Sequence, residues 1–439
     1  HKIDKKTRNI IFAGALFKFL GLDIELLLDK LKEKFGNKPI IEDNIKAASL
    51  GYNSIKENAN ILPKVKKKKL YFLSGTEGVA IGAINSGIDV YFAYPMTPAT
   101  PVLHKLAERQ IKDNFIVVQL ENEIAVINAA LGASFTGAKV MIGTSGGGFD
   151  LMTEALSMQG MSEIPLVIYL AQRPGPGTGV PTYTMQSDLN VALYSGHGEF
   201  PRVVIAPGDA FECIEKTNEA FYFAQKYRLA SIILSDKHIA ESYYTFYRKK
   251  PRILRITPEI KKTQGLFKNY RITPNGNSPR SVPGQSIVKA SSYEHDEYGF
   301  TVEDERTIKK MFEKRFRKWE TIKREVRKFR MYCTYNRKES KNLLLGWGST
   351  KGAIIDSIRD IDIKFLQILY LKPFPREIKK ELEKSEKIII VENNATGLLR
   401  ELIRKETGIE INKRNMILKY DGRPFTPNEL KKEILMRIK

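Results

Sequence analysis

Apolar residues recur at three- and four-residue steps through "NIIFAGALFKFLGLDIELLLDKLKEKFG" (9–36). That spacing predicts helix, broken at the Gly-Leu-Asp of 21–23 and stopped at Gly36. A further helix is expected around "DNIKAASLGYNSIKEN" (43–58), so residues 1–62 read as a helical segment. The basic run "PKVKKKKL" (63–70) reads as a linker, and beyond it the period changes. "DVYFAY" (89–94), "FIVVQL" (115–120), "KVMIGT" (139–144), "PLVIYLA" (165–171), "RVVIA" (202–206) and "ASIILS" (230–235) are short apolar runs. Several are continuous, as strands covered on both faces of a parallel sheet must be. Helical stretches separate them, so residues 63–249 read as a doubly wound α/β domain.

Residues 250–339 begin as an irregular linker rich in Pro, Gly, Ser and Asn and end in a long charged helix, "VEDERTIKKMFEKRFRKWETIKREVRKF". Its Ile308, Phe312, Phe316, Trp319, Ile322, Val326 and Phe329 form one stripe, expected to pack on its own domain rather than on a membrane. Residues 340–439 predict a second, smaller α/β unit with strands at "NLLLGW", "FLQILYL" and "KIIIVEN".

Composition narrows the picture. No run of about 18 uncharged apolar residues exists, so no membrane-spanning helix is expected. The amino-terminal basic and apolar stretch superficially resembles a signal peptide, but Lys18 interrupts it and the pattern continues as an amphipathic helix. The absence of an initiator Met suggests that the chain begins inside a larger translation product. Two distant cysteines, Cys213 and Cys333, fit a reducing cytoplasm. They exclude a self-contained iron–sulfur cluster, which needs about four thiolates, and a multi-cysteine zinc site. If electrons are handled, the metal sits in another chain. The net charge of +22 admits a Lys/Glu/Ile-rich thermophile surface, steering toward an acidic partner, or nucleic-acid binding. The excess is spread along the chain, which favours the first.

Ligands of open parallel sheets bind at the carboxyl ends of the strands, and four unusual segments fall there. In "YPMTPATP", Thr97-Pro98 or Thr100-Pro101 fits a helix cap, or Thr97 is a hydroxyl held rigidly over a ligand. In "QLENEIAVINAALGAS", Glu121 and Glu123 open an apolar helix. The helix dipole favours an ionised acid there, whereas an apolar backing disfavours it, and the two effects oppose each other. "TSGGGFDL" allows close backbone approach but has neither a Walker lysine nor a GxGxxG pattern. Arg173 precedes the Pro- and Gly-rich loop of "QRPGPGTGVPTYTMQSD", placed either to grip a carboxylate bidentately or to join a surface salt bridge.

Taken in order, "YPMTPAT", "ENEIAVINAALGAS", "GTSGGGFDLMTEAL", "QRPGPGTGVPT", "GHGEFPRVVIAPGD", "SPRSVPGQ", "EHDEYG", "GWGST", "VENN" and "DGRPF" resemble the α subunit of 2-oxoacid:ferredoxin oxidoreductases, especially the archaeal two-subunit type. The resemblance implies a thiamine-diphosphate-binding domain of the pyrimidine type over 63–249 and a transketolase-C-like domain over 340–439. Residues 1–62 would be the helical end of a γ-like domain. It further implies that Pro95 lies against the aminopyrimidine and that Thr97 contacts the substrate and the reactive end of the cofactor. Glu123 would hydrogen-bond the pyrimidine ring and drive its tautomerisation, and Arg173 would hold the 2-oxoacid carboxylate.

Two departures stand out. Gly147 replaces the proline of the usual TSGPGF, which is expected to loosen the loop, and residues 1–62 match only the helical end of the γ-like domain, so that either the chain is a fragment or the gene is split and a separate chain or segment supplies the rest. "PGDA" and "YDGRP" are not the GDG…N motif for Mg and diphosphate. The family places that motif and the four-cysteine [4Fe-4S] cluster in a β subunit. The expectation is therefore a cytoplasmic chain active only with that β subunit, in an (αβ)2-type assembly. It would convert a 2-oxoacid such as pyruvate or 2-oxoglutarate and CoA to acyl-CoA, with electrons passing to ferredoxin. Neither nucleic acid nor membrane is an expected partner. The competing readings are an acetolactate-type thiamine enzyme, which would need the diphosphate motif in this chain, a non-catalytic or degenerate assembly subunit, and a basic nucleic-acid-binding protein.

Overall fold

The computed structural model describes residues 7–36, 38–59, 61–62, 70–247 and 250–438. The basic linker over 63–69 and the first six residues of the signal-like stretch lie outside the described residues. The chain divides into two compact units, His1–Lys69 and Leu70–Lys439.

The first unit holds the helices Arg8–Phe19, Ile24–Phe35 and Ile40–Ser54. The expected break at 21–23 ends in Asp23, whose carboxylate accepts from the Glu25 amide (3.1 Å) and caps the second helix. Gly36 closes that helix at φ 55°. The first and third helices approach through glycines. A Cβ on Gly14 would run into the Ala48 carbonyl, and one on Gly51 into that of Ile11.

The strands of the second unit are β1 (Leu70–Ser74), β2 (Val90–Ala93), β3 (Ile116–Gln119), β4 (Val140–Thr144), β5 (Leu166–Gln172), β6 (Arg202–Ile205), β7 (Ala230–Asp236), β8 (Tyr243–Tyr247), β9 (Tyr332–Asn336), β10 (Asn342–Trp347), β11 (Lys364–Ile368), β12 (Tyr370–Lys372), β13 (Lys387–Glu392) and β14 (Met416–Leu418). The large sheet runs in the order β12-β6-β7-β5-β4-β2-β3. It is parallel from β6 to β3, with β12 antiparallel at one edge. Every residue of β4, β5 and β7 is buried, which explains their unbroken apolar sequences. Separate apolar cores lie on the two faces. β1 and β8, not expected as strands, pair antiparallel as a ribbon.

The second sheet has the order β14-β13-β10-β11-β9. "FLQILYL" is not one strand. Its first part, β11, pairs with β10, whereas β12 pairs with β6 of the large sheet. Between them the amides of Leu369 and Tyr370 both donate to the Met331 carbonyl (2.9 and 3.0 Å). One apolar run thus serves two sheets.

The charged helix spans Glu305–Glu325, capped by Asp304. Its stripe needs correction. Met311, Ile322, Val326 and Phe329 are buried, but Phe316 is 42% exposed, and Lys314, Arg315 and Lys318 are buried instead. Lys318 Nζ lies 2.5 Å from Glu163, which also takes Lys314, and Arg315 pairs with Glu294. Both ammonium groups hold the Glu163 carboxyl well below its usual pKa, against the opposing effect of burial. Burial in turn pushes Lys314 down to about 8.

Candidate active site

Four strand ends converge at the carboxyl edge of the large sheet. After β2 the chain turns through Tyr94, the half-buried Pro95 and Met96 to Thr97, whose peptide bond to Pro98 is cis. The helix-cap reading is corrected here. The helix begins at Thr100, its cap residue is Ala99, and no side chain bonds its first turn. Thr97 stands clear of it, half-buried.

After β3, Glu121 is exposed while Glu123 is only 3% exposed. Asn122 between them takes the capping role, accepting from the Ala125 amide at 2.9 Å. Glu123 is thereby freed from capping and turned inward at the first position of the helix Glu123–Phe135, where its Oε1 is buried without a hydrogen-bond partner among the described residues. After β4 comes the short helix Gly146–Leu151. Gly148 passes so close that a Cβ there would strike Thr144 Oγ1 and Glu123 Oε1. The close backbone approach that this glycine run permits is therefore made to Glu123 itself. Gly147 lies inside that helix, exposed, and a Cβ on it would stand 3.3 Å from the Gly177 carbonyl.

Arg173 follows β5 and is 9% exposed. Its Nη1 donates to the Thr97 carbonyl at 2.7 Å rather than to a surface carboxylate, which corrects the salt-bridge alternative. Burial lowers the guanidinium pKa, and the facing charges of Asp188 and Glu123 raise it.

Asp188 is the residue that sequence reasoning missed. Its amide donates to Gln172 Oε1 (2.9 Å), Ser187 Oγ donates to its Oδ1 (3.2 Å), and its Oδ2 is buried without a partner among the described residues. A Cβ on Gly146 would lie 2.6 Å from that oxygen. Burial pushes Asp188 up to about 6, opposed by the Ser187 hydroxyl, reinforced by Asp150 and opposed again by Arg173. The available signal was an acid closing the loop that Arg173 opens.

The carboxyl-terminal motifs hold that loop in place. Gln186 Nε2 donates to the Trp347 carbonyl (2.9 Å), and its Oε1 accepts from the Asn393 amide (2.9 Å). The Thr184 amide donates to the Gly422 carbonyl (3.1 Å), and the Arg423 guanidinium stacks 3.5 Å from the Tyr183 ring centroid. Glu392 accepts from Trp347 Nε1 (3.0 Å), Asn394 Nδ2 (2.9 Å) and the Leu399 amide (3.0 Å). Burial nonetheless pushes it up to about 7. Asp209 of "PGDA" is a helix cap, accepting from the Glu212 amide (2.8 Å) and pairing with Lys351 (2.5 Å). Among the described residues no helix is long and apolar enough to cross a membrane.

Two family models match: the thiamine-diphosphate-binding region of pyruvate flavodoxin/ferredoxin oxidoreductases over residues 81–314, and pyruvate ferredoxin/flavodoxin oxidoreductase over residues 2–54. The α subunit of 2-oxoacid:ferredoxin oxidoreductase 1 from Sulfurisphaera tokodaii is 34% identical, covering 100% of this chain and 72% of its own length. The 2-oxoacid:ferredoxin oxidoreductase α subunit of Saccharolobus solfataricus is 36% identical over 98% of this chain and 71% of its own. A 2-oxoglutarate:ferredoxin oxidoreductase from Magnetococcus marinus, solved with 2-oxoglutarate, coenzyme A and succinyl-CoA bound, superposes with a TM-score of 0.89. It is 30% identical and covers 99% of this chain and 78% of its own. Fold and matches together define a thiamine-diphosphate-binding α/β protein. The chain belongs to the 2-oxoacid:ferredoxin oxidoreductase α-subunit family.

Proposed function

We propose that this chain is the α half of an enzyme that oxidatively decarboxylates a 2-oxoacid with CoA, giving acyl-CoA and carbon dioxide and passing the electron pair to ferredoxin. One observation carries the reading: a buried carboxyl oxygen, Glu123 Oε1, stands without a partner where the Gly148 backbone comes close and Arg173 faces it. That oxygen suits a ring nitrogen of an aminopyrimidine, so the residues fit the pyrimidine end of thiamine diphosphate. The bound cofactor supplies the carbon nucleophile for the 2-oxo carbon.

Within this chain, Glu123 holds and exchanges the proton at the pyrimidine ring, and Pro95 lies along its face. Arg173 grips the substrate carboxylate, with its fork oriented by the Thr97 carbonyl and its charge balanced by Asp188. The Thr97 hydroxyl serves the oxo group. A β subunit, in keeping with the α naming of the relatives, holds the diphosphate with Mg and carries the [4Fe-4S] cluster, in an (αβ)2-type assembly.

The test is reconstitution with the β subunit, following thiamine diphosphate binding by calorimetry and ferredoxin reduction by absorbance. The wild-type pair binds and turns over. Glu123→Gln and Thr97→Ala assemble but turn over at least about a hundredfold more slowly. Near-wild-type turnover of Glu123→Gln, or turnover by this chain alone, overturns the reading.

A further inference from the structure

The motif "GHGEFPR" takes no part in the site above. It leads into β6 from the amino edge of the sheet, the edge opposite Glu123 and Arg173. There a cleft opens between this loop, the end of β12 and the helix Glu305–Glu325, in two adjoining cavities of 530 and 260 Å³ that share Tyr194, Trp319, Lys372 and Lys405. We propose that this cleft binds a nucleoside phosphate.

The anion half of the argument rests on cations without carboxylates. Buried Lys216, Lys314, Lys318 and Lys351 each pair with an acid. Among the described residues Lys372 does not: its ammonium donates only to the Leu193 carbonyl (3.0 Å). Arg202 is 3% exposed and donates to the Ser195 hydroxyl (3.2 Å) and to the carbonyls of Ala192 (3.4 Å) and Ser195 (2.5 Å). Its Nε is buried without a partner. Lys405 reaches in from the carboxyl-terminal sheet's helix and stands 4.2 Å from the Tyr194 ring centroid, with Lys372 5.5 Å from the same ring. Burial pushes Lys372 down to about 8, reinforced by the like charges of Arg202 and Lys405 and opposed by Glu406. Glu199, exposed at the rim, is the other acid of the cleft. The recessed Arg202 and Lys372 and the exposed Lys405 at the mouth repel one another, and a polyanion between them relieves that repulsion.

The ring half rests on the walls. Tyr194 is 44% and Phe316 42% exposed, and both border the cleft beside Trp319. Flat side chains beside recessed cations recognise a base and its phosphates together. The larger cavity, 530 Å³, also falls in the range of small-molecule sites, roughly 300–1,000 Å³.

Intrinsic fluorescence reads the site directly. The chain has two tryptophans, and Trp347 is buried at 1% exposure in the carboxyl-terminal sheet, so the quenching that Trp319→Phe removes from the complex reports the cleft. The α–β complex is titrated with ADP, adenosine, inorganic phosphate and CoA, in the wild type and in Lys405→Glu and Lys372→Gln. Lys405 is exposed, so its variant leaves the packing intact. ADP quenches, more tightly than adenosine or phosphate alone, and each variant weakens it by about tenfold or more. Binding of CoA but not ADP, with the same dependence on Lys405, assigns the cleft to the adenosine phosphates of CoA; binding of ADP assigns it to free nucleotide. Absence of quenching by either, or quenching that both variants leave unchanged, overturns the proposal. Because the readout is binding rather than turnover, it stands or falls apart from the catalytic reading.

Discussion

The Nη1 of Arg173 donates to the carbonyl oxygen of Thr97 at 2.7 Å, tying the end of β5 to the cis-proline turn after β2. One bond therefore fixes both the cation proposed to take the substrate carboxylate and the segment that carries the proposed hydroxyl. Arg173→Ala loses about 2–3 kcal/mol of charged hydrogen bonding, which raises KM for the 2-oxoacid by about 30- to 150-fold. Arg173→Lys keeps the charge but not the fork, and recovers only part of that loss. Steady-state kinetics of the α–β complex checks both variants, and an unchanged KM in Arg173→Ala removes the carboxylate role.

Neighbouring glycines separate two effects. A Cβ at Gly148 would meet Thr144 and Glu123, whereas one at Gly147 would stand 3.3 Å from the Gly177 carbonyl. Gly148→Ala accordingly weakens thiamine diphosphate binding by about tenfold or more, while Gly147→Ala changes it by less than about threefold. Calorimetry on the two variants decides it. Equal effects would mean that the pressure on Glu123 is irrelevant.

Asp188 makes stability depend on pH. Its pKa rises from 3.8 to about 6 on folding, so between those values the native chain binds more protons than the unfolded one. Stability from this group falls as pH rises through that window and levels off above about 6. Asp188→Asn removes the dependence and gains about 1–3 kcal/mol over the wild type at pH 7, with little gain at pH 4. Urea unfolding at the two pH values measures it, and an equal gain at both would contradict the assignment.

Strands β4 to β7 were legible because full burial leaves an unbroken apolar run with no competing period, and the partly exposed β2 and β3 because their short apolar runs end at Pro and Glu. The half-exposed ribbon β1–β8 and the short β9 and β14 carry no such signal. "FLQILYL" misled because apolarity does not say which sheet a strand joins. The long helix was legible as a helix but not in its buried face, since nothing near Lys314 and Lys318 in sequence announces Glu163. Thr97, Glu123 and Arg173 could be singled out because they sit at strand ends, where unusual chemistry stands out against apolar runs. Asp188 offered a weaker signal, an acid closing a loop, because that loop and the Gln172 side chain, not a strand end, bring it back to the site.

Glu163 is the hinge of that buried ion cluster. Glu163→Gln leaves Lys314 and Lys318 buried without a counter-charge and destabilises the fold by about 3–5 kcal/mol. Replacing Lys314 and Lys318 by Met in the same background restores much of the loss. Chemical denaturation of the single and triple variants tests both statements, and no rescue would indicate that packing rather than charge is at stake.

The central claim is that Glu123 trades a proton with the cofactor's pyrimidine. Deuterium exchange at C2 of thiamine diphosphate bound to the α–β complex measures that step without turnover. The account predicts fast exchange in the wild type and a fall of about a hundredfold or more in an assembled, cofactor-loaded Glu123→Gln complex. Exchange at the wild-type rate in that variant would contradict it.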